Sequence, residues 1–228
     1  MAQPGKVAGS KKALRAQAKK QKRGFRRTEV RKRYLLACEG QETEPNYFAE
    51  IKNLLPRDIM IVAKGDGRNT LSLVEWAEHE ANKLKANYQA ADEVWIVMDR
   101  DSFPAHNFDN AITSAGAKGF ELAWSNECFE LWILLHFENV FTSLPRQDIY
   151  QKLSVIFGFN YEREGKNKNL YQLIRDHDGD EAVAIQRAKL LWRQAKEDHE
   201  TQAVPYSRTN PATGVYRLVQ KLNSHSRF

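Results

Sequence analysis

Cysteine is scarce in this chain. Only Cys38 and Cys128 occur among its 228 residues, too few for a disulfide framework and without the CxxC or Cys/His spacing of a zinc site. Both are expected as buried free thiols. Long apolar runs are missing too. Stretches such as LWILLHF at 131–137 fall far short of the roughly 20 residues needed to cross a bilayer. The N-terminus has no apolar stretch of the signal-peptide kind, so a cytoplasmic protein is expected. Acid is nearly absent from residues 1–33, which hold 13 Lys and Arg against one acid, Glu29. Large apolar residues are few there, among them Leu14, Phe25 and Val30. Such a segment cannot offset the entropy of folding and is expected to be a disordered basic arm.

What the arm lacks, the body holds. With 35 basic and 29 acidic residues in all, the arm carries a net +12 and the remainder a net −6. A basic arm ahead of an acidic body suits a tether for a polyanion, since each Lys or Arg that neutralises a phosphate releases a counterion. A solubilising tail is the plain alternative. Arg26 and Arg27 are the arm's candidate nucleic-acid contacts.

From Tyr34 the pattern becomes that of a folded protein. YLLAC at 34–38 is a short apolar run of the buried-strand kind, ending abruptly at Glu39-Gly40. Thr43 then caps a helix with Glu44 and Pro45 in its first turn. Tyr47, Phe48, Ile51, Leu54 and Leu55 follow at helical spacing, and Pro56 ends it. Strands at 58–63, 93–98 and 120–124 alternate with helices at 70–88 and 107–115. The order βαβαβαβ predicts an α/β fold with a four-stranded parallel sheet flanked by helices. Helices at 127–137, 147–157, 168–176, 180–198 and 212–223 follow. The expected organisation is an arm (1–33), an α/β core (34–137) and a helical C-terminal extension packed on it (138–228).

Three acids stand at strand ends, Glu39 after the first strand and Asp99 and Asp101 after the third. Ligands of parallel sheets bind beyond the carboxyl ends of the strands. Three carboxylates gathered there repel one another unless a cation lies between them. In an extended DxD both side chains project to one side. There Mg2+ or Mn2+ is held by one or two carboxylates, water and phosphate oxygens. A lone DxD is a weak signal, because acids also cap helices and satisfy turns.

The runs CEGQETEPNYF at 38–48, VMDRD at 97–101 and SNECFELWILLHF at 125–137 resemble the RloB-like proteins over about residues 33–222. That resemblance implies a Toprim fold, related to the nucleases of overcoming-lysogenization type, with metal-binding acids on Glu39, Asp99 and Asp101. A second family acid falls on Glu44, which the helix dipole also favours there. Glu42 is expected to be solvated. The resemblance further implies a bacterial anti-phage setting, often with an ATPase partner encoded nearby. The NPATGV run at 210–215 is similar to the family's C-terminal signature, and is read as a helix start rather than a phosphate contact.

Within SNECFELWILLHF, Ser125 or Asn126 is expected to cap a helix. Glu130 is a candidate ligand or partner of the metal site, with an ordinary salt bridge as the alternative. His136 is read as a satisfied core histidine. The family usually has proline where Glu127 stands, which bears on where that helix starts. Lys166 and Lys168, in the glycine-flanked loop 158–168, are candidates for stabilising charge on a phosphate, with solvated lysines as the alternative. The reading that follows is a metal-dependent nuclease acting on DNA or RNA. A non-catalytic module that binds nucleic acid or an ATPase is the alternative. A topoisomerase or primase needs further domains and is set aside.

Overall fold

The computed structural model describes residues 32–65, 67, 70–101, 103–165 and 168–226. The basic arm up to residue 31, with Arg26 and Arg27, and Lys166 of the loop lie outside the described residues. The first strand starts two residues before Tyr34. Strand β1 spans Lys32–Cys38, and the two residues assigned to the arm are fixed at its start. Lys32 pairs with Glu93 at 3.1 Å, and the backbone N–H of Arg33 donates to Asp92 at 2.6 Å.

The alternation then runs α1 (Thr43–Leu54), β2 (Ile59–Gly65), α2 (Thr70–Ala86), β3 (Glu93–Asp99), α3 (Ala105–Ala117) and β4 (Glu121–Asn126). Helix α4 (Glu130–Leu134) follows, then α5 (Arg146–Phe157), α6 (Tyr161–Glu164), α7 (Leu170–Asp176) and the long α8 (Glu181–Gln202). A strand β5 (Ala212–Thr213) and a helix α9 (Val215–Asn223) close the chain. Among the described residues no helix is long and apolar enough to cross a membrane.

The sheet has five strands, in the order β2-β1-β3-β4-β5, not four. The first four are parallel, and β5 runs antiparallel to β4, with Ser125 opposite Thr213 and Asn126 opposite Ala212. The NPATGV run therefore does not begin a helix at residue 212. Its Ala-Thr pair first closes the sheet edge, where the Ser125 and Thr213 hydroxyls lie 2.9 Å apart, and α9 starts only at Val215. The same pairing keeps Ser125 and Asn126 in β4, so neither caps the next helix. That helix shrinks to Glu130–Leu134, with Phe129 before it.

Strand side chains alternate between two apolar layers, as the period of two requires. Tyr34, Leu36, Cys38, Trp95, Val97 and Ala123 pack with α1, α4, α5 and α9. Ala37, Ile96, Met98 and Trp124 pack with α2 and α3 on the opposite face. Cys38 and Cys128 are buried and free. In α9, Val215, Leu218, Val219 and Leu222 form one buried stripe at the spacing of a helix face. The helices after residue 137 share the first layer with the strands.

The strand order places the site. From β1 the chain crosses to β2 on one side, then returns past β1 to β3 on the other. The carboxyl ends of β1 and β3 therefore flank the point where the direction of winding reverses, which is where open parallel sheets form their ligand crevice.

Candidate metal centre

Glu39 follows the last residue of β1, and Asp99 is the last residue of β3. The two are tied directly. The Glu39 N–H donates to the Val97 carbonyl at 2.9 Å, and the Asp99 N–H donates to the Glu39 carboxylate at 3.0 Å. Both acids are thus held by the β1–β3 ladder rather than by a mobile loop.

Glu44 enters from the first turn of α1 and is buried, its carboxylate accepting from the Gly40 N–H at 3.4 Å. A Cβ at position 40 would meet that carboxylate, so a larger residue there would push the Glu44 side chain aside. Glu130 opens α4, is also buried, and accepts from the Tyr161 hydroxyl at 3.3 Å. Asp101 reaches the same place by a different route from the one expected. The chain does not stay extended through the DxD. It turns after Asp99, and Asp101 has φ +36°, a left-handed value that Asp tolerates better than most residues. Its N–H donates to the Glu127 carbonyl at 3.3 Å. Arg100 between the two aspartates is occupied with carbonyls, donating to those of Ser207, Asp101 and Phe103.

All five acids line one open cavity of about 450 Å³, with the exposed Glu42 at its rim and Phe129, Tyr150 and Arg146 completing the wall. Among the described residues that line it, Arg146 is the single cation. Its Nη2 stands 3.5 Å from a carboxylate oxygen of Asp99 and 3.5 Å from one of Asp101. That atom is buried without a hydrogen bond, because 3.5 Å is long for a charge-assisted pair.

Sequence reasoning missed Arg146, though a signal was present. It is the first residue of α5, where the helix dipole disfavours a cation, so an anion elsewhere must hold it. The Glu127 carboxylate accepts the Arg146 N–H at 2.9 Å and supplies the favourable charge at that helix end. Lys168 is exposed, lies over the Phe159 ring at 5.2 Å and does not line the cavity.

The electrostatics of the acids follow from crowding. Burial raises Glu39 to about 7, with Asp101 adding to the rise, while the Asp99 N–H and Arg146 hold it back. Burial raises Glu44 to about 7 as well, reinforced by Glu130 and Glu39. Asp99 is pushed well above the usual carboxylate range by burial, then by Glu44, Glu130 and Glu39. Arg146 responds in kind: burial lowers its pKa, but Asp99 foremost among its neighbours carries it above its ordinary value. Among the described residues that line the cavity, one guanidinium faces five carboxyl groups, and like charges at close range disfavour ionisation.

The donor set is entirely carboxylate oxygen, the ligand type of Mg2+ and Mn2+ and unsuited to soft metals. Among the described residues no group of three His, Cys, Asp or Glu side chains is arranged so that it could hold a metal ion, and the Arg146 guanidinium stands between the two aspartates. The oxygen-only donor set matches the chemistry of a hard divalent cation, while among the described residues the cation paired with both aspartates is Arg146. Glu39, Asp99 and Asp101 come together as the strand-end argument expects, Glu44 and Glu130 join them, and His136 sits in the core, buried and within 2.9 Å of the Trp132 carbonyl.

No curated protein and no solved structure matches this chain. The family model described as RloB-like protein matches residues 34–222, most of the chain, and the protein belongs to that family.

Proposed function

We propose that the protein is a metal-dependent nuclease of Toprim type, hydrolysing phosphodiester bonds of DNA or RNA. The observation that carries this reading is the convergence of Glu39, Glu44, Asp99, Asp101 and Glu130 on one open cavity at the reversal point of a parallel sheet. Such a cluster is costly to hold without a cation, and a site that binds phosphate through a bridging metal gives the cost a purpose. Asp99 and Asp101 are assigned to one Mg2+ or Mn2+. Glu39 and Glu44 either complete a second metal position or, through Glu39, take the proton of the attacking water. Glu130, held by the hydrogen bond from the Tyr161 hydroxyl, is assigned as a further ligand or an outer partner of the metal. A bound divalent ion supplies Lewis-acid stabilisation of the phosphate oxygens and an activated water.

Around the site the body is acidic, so attraction to nucleic acid rests on the metal and on the basic arm. A cytoplasmic role in anti-phage defence, with an ATPase partner, is the setting we propose from the family. The competing reading is a module that binds nucleic acid or an ATPase without cutting, and the pairing of Arg146 with both aspartates favours it.

Cleavage separates the two. Plasmid, single-stranded DNA and tRNA incubated with the protein in Mg2+ or Mn2+ are expected to be cut. EDTA, and the double variant Asp99→Ala, Asp101→Ala, are expected to lower the rate by at least about a hundredfold. Absence of metal-dependent cutting, with and without the genomically neighbouring ATPase, would leave only the binding module.

A further inference from the structure

We infer that Arg146 is the exchangeable counter-ion of the carboxylate site: its guanidinium holds the place between Asp99 and Asp101, yields it when a divalent cation binds, and then pairs with the substrate phosphate. This rests on the metal reading above and goes beyond it by assigning a residue and a conformational step to cation binding.

Three observations carry the inference. The guanidinium is poorly held for a buried charge: Nη2 touches both aspartates only at 3.5 Å and has no hydrogen bond. A permanent arginine–carboxylate clamp is instead shorter and forked. The side chain is 29% exposed, so it has a route out of the pair toward the open cavity. Its backbone, by contrast, is fixed, because the Arg146 N–H is bound by Glu127 and α5 is anchored by the buried Ile149, Tyr150, Leu153 and Phe157. A pinned backbone with a loosely paired side chain is the construction of a swinging group. Once released, the guanidinium is the only cation among the described lining residues, and its planar fork matches a phosphate.

The pairing also sets how the cation binds. While the guanidinium occupies the aspartates the site is closed to metal, and the apparent affinity is reduced by the fraction of molecules in that state. The test compares the intact full-length protein with Arg146→Gln. Arg208→Gln serves as a charge control, since Arg208 borders the neighbouring cavity beside Asp101 without an ion pair to Asp99 or Asp101.

By calorimetric titration with Mn2+, Arg146→Gln is expected to bind about tenfold more tightly than the intact protein, and Arg208→Gln within about twofold of it. At saturating Mn2+, Arg146→Gln is expected to cut at least about tenfold more slowly, through loss of a phosphate partner. Affinity and rate thus move in opposite directions, whereas a merely structural role would weaken both. In the intact protein the arginine side-chain N–H resonance that disappears in Arg146→Lys is expected to shift on addition of Mg2+, a readout that holds even where Arg146→Gln does not fold. Equal Mn2+ affinity of Arg146→Gln and Arg208→Gln, or an unmoved resonance at saturating Mg2+, overturns the exchange while leaving the metal site standing. No Mn2+ binding by any of the folded proteins overturns both.

Discussion

His136 lies against the indole of Trp132, with ring centroids 4.7 Å apart, and its Nδ1 meets the Trp132 carbonyl at 2.9 Å. A carbonyl can only accept, so this nitrogen carries the proton and the ring is a neutral donor. Burial lowers its pKa to about 4 from an ordinary value near 6.5. The sign of the linkage follows. Below 6.5 the unfolded chain binds a proton that the folded one refuses, so stability present above 6.5 is lost as pH falls toward 4. By pH 4.5 the imidazole is expected to have cost about 2–3 kcal/mol. In urea melts at pH 7.5 and 4.5, His136→Gln should lose that much less between the two pH values than the intact protein. Parallel losses would mean that the imidazole is not held neutral. Reading this histidine as core was possible from its setting in a run of Trp, Ile and Leu, where a charge has no partner.

Elements were legible where a pattern persists over several residues and hidden where it does not. EVWIVM and YLLAC are apolar, β-favouring runs ended by acid, and both form parallel strands within one or two residues of the expected bounds. Strand β5 is two residues long, too short for any period, and only its pairing with β4 defines it. The DxD illustrates a subtler limit: the acids were visible, but the turn that brings Asp101 back toward the cavity depends on its bond to the Glu127 carbonyl, a partner far along the chain. Arg146 left only an indirect trace, a cation at the start of α5, because the aspartates it pairs with lie far back in the chain. Glu127 itself, where the family usually has proline, is explained by α5, whose first N–H it binds. Glu127→Ala removes a cap-like acceptor and a favourable dipole charge together, and should cost about 1 kcal/mol. Glu127→Gln, which keeps the acceptor, should recover about half of it or more. A urea midpoint for Glu127→Ala equal to that of the intact protein would show that the carboxylate contributes nothing to the helix end.

At the scale of the molecule, the fold brings five acids together by converging β1, β3, α1 and α4 on the reversal point of the sheet, and the whole chain bears the repulsion as lost stability. Glu44 is the clearest case because it is buried and its pKa rises to about 7. For an acid shifted upward, the stabilising contribution is present below the unfolded value near 4.5 and is lost as pH rises through about 7. Metal-free protein at pH 8 should therefore carry a penalty from this side chain, roughly 1–3 kcal/mol. Glu44→Gln keeps the shape and can still accept from the Gly40 N–H, but it has no charge to repel. In EDTA at pH 8 the variant should melt higher than the intact protein, and at pH 4.5, where Glu44 is protonated, the two should agree. If the proposed site binds Mg2+, saturating Mg2+ is expected to reverse the order at pH 8. A ligand at a hundred times its dissociation constant stabilises by about 2.7 kcal/mol, and the intact protein gains it with a full set of acids while the variant has lost one. Cleavage should fall in the same variant. A Glu44→Gln protein less stable than the intact one in EDTA at pH 8 would mean that Glu44 is neutralised within the fold, and that the acids are gathered there for stability rather than for a cation.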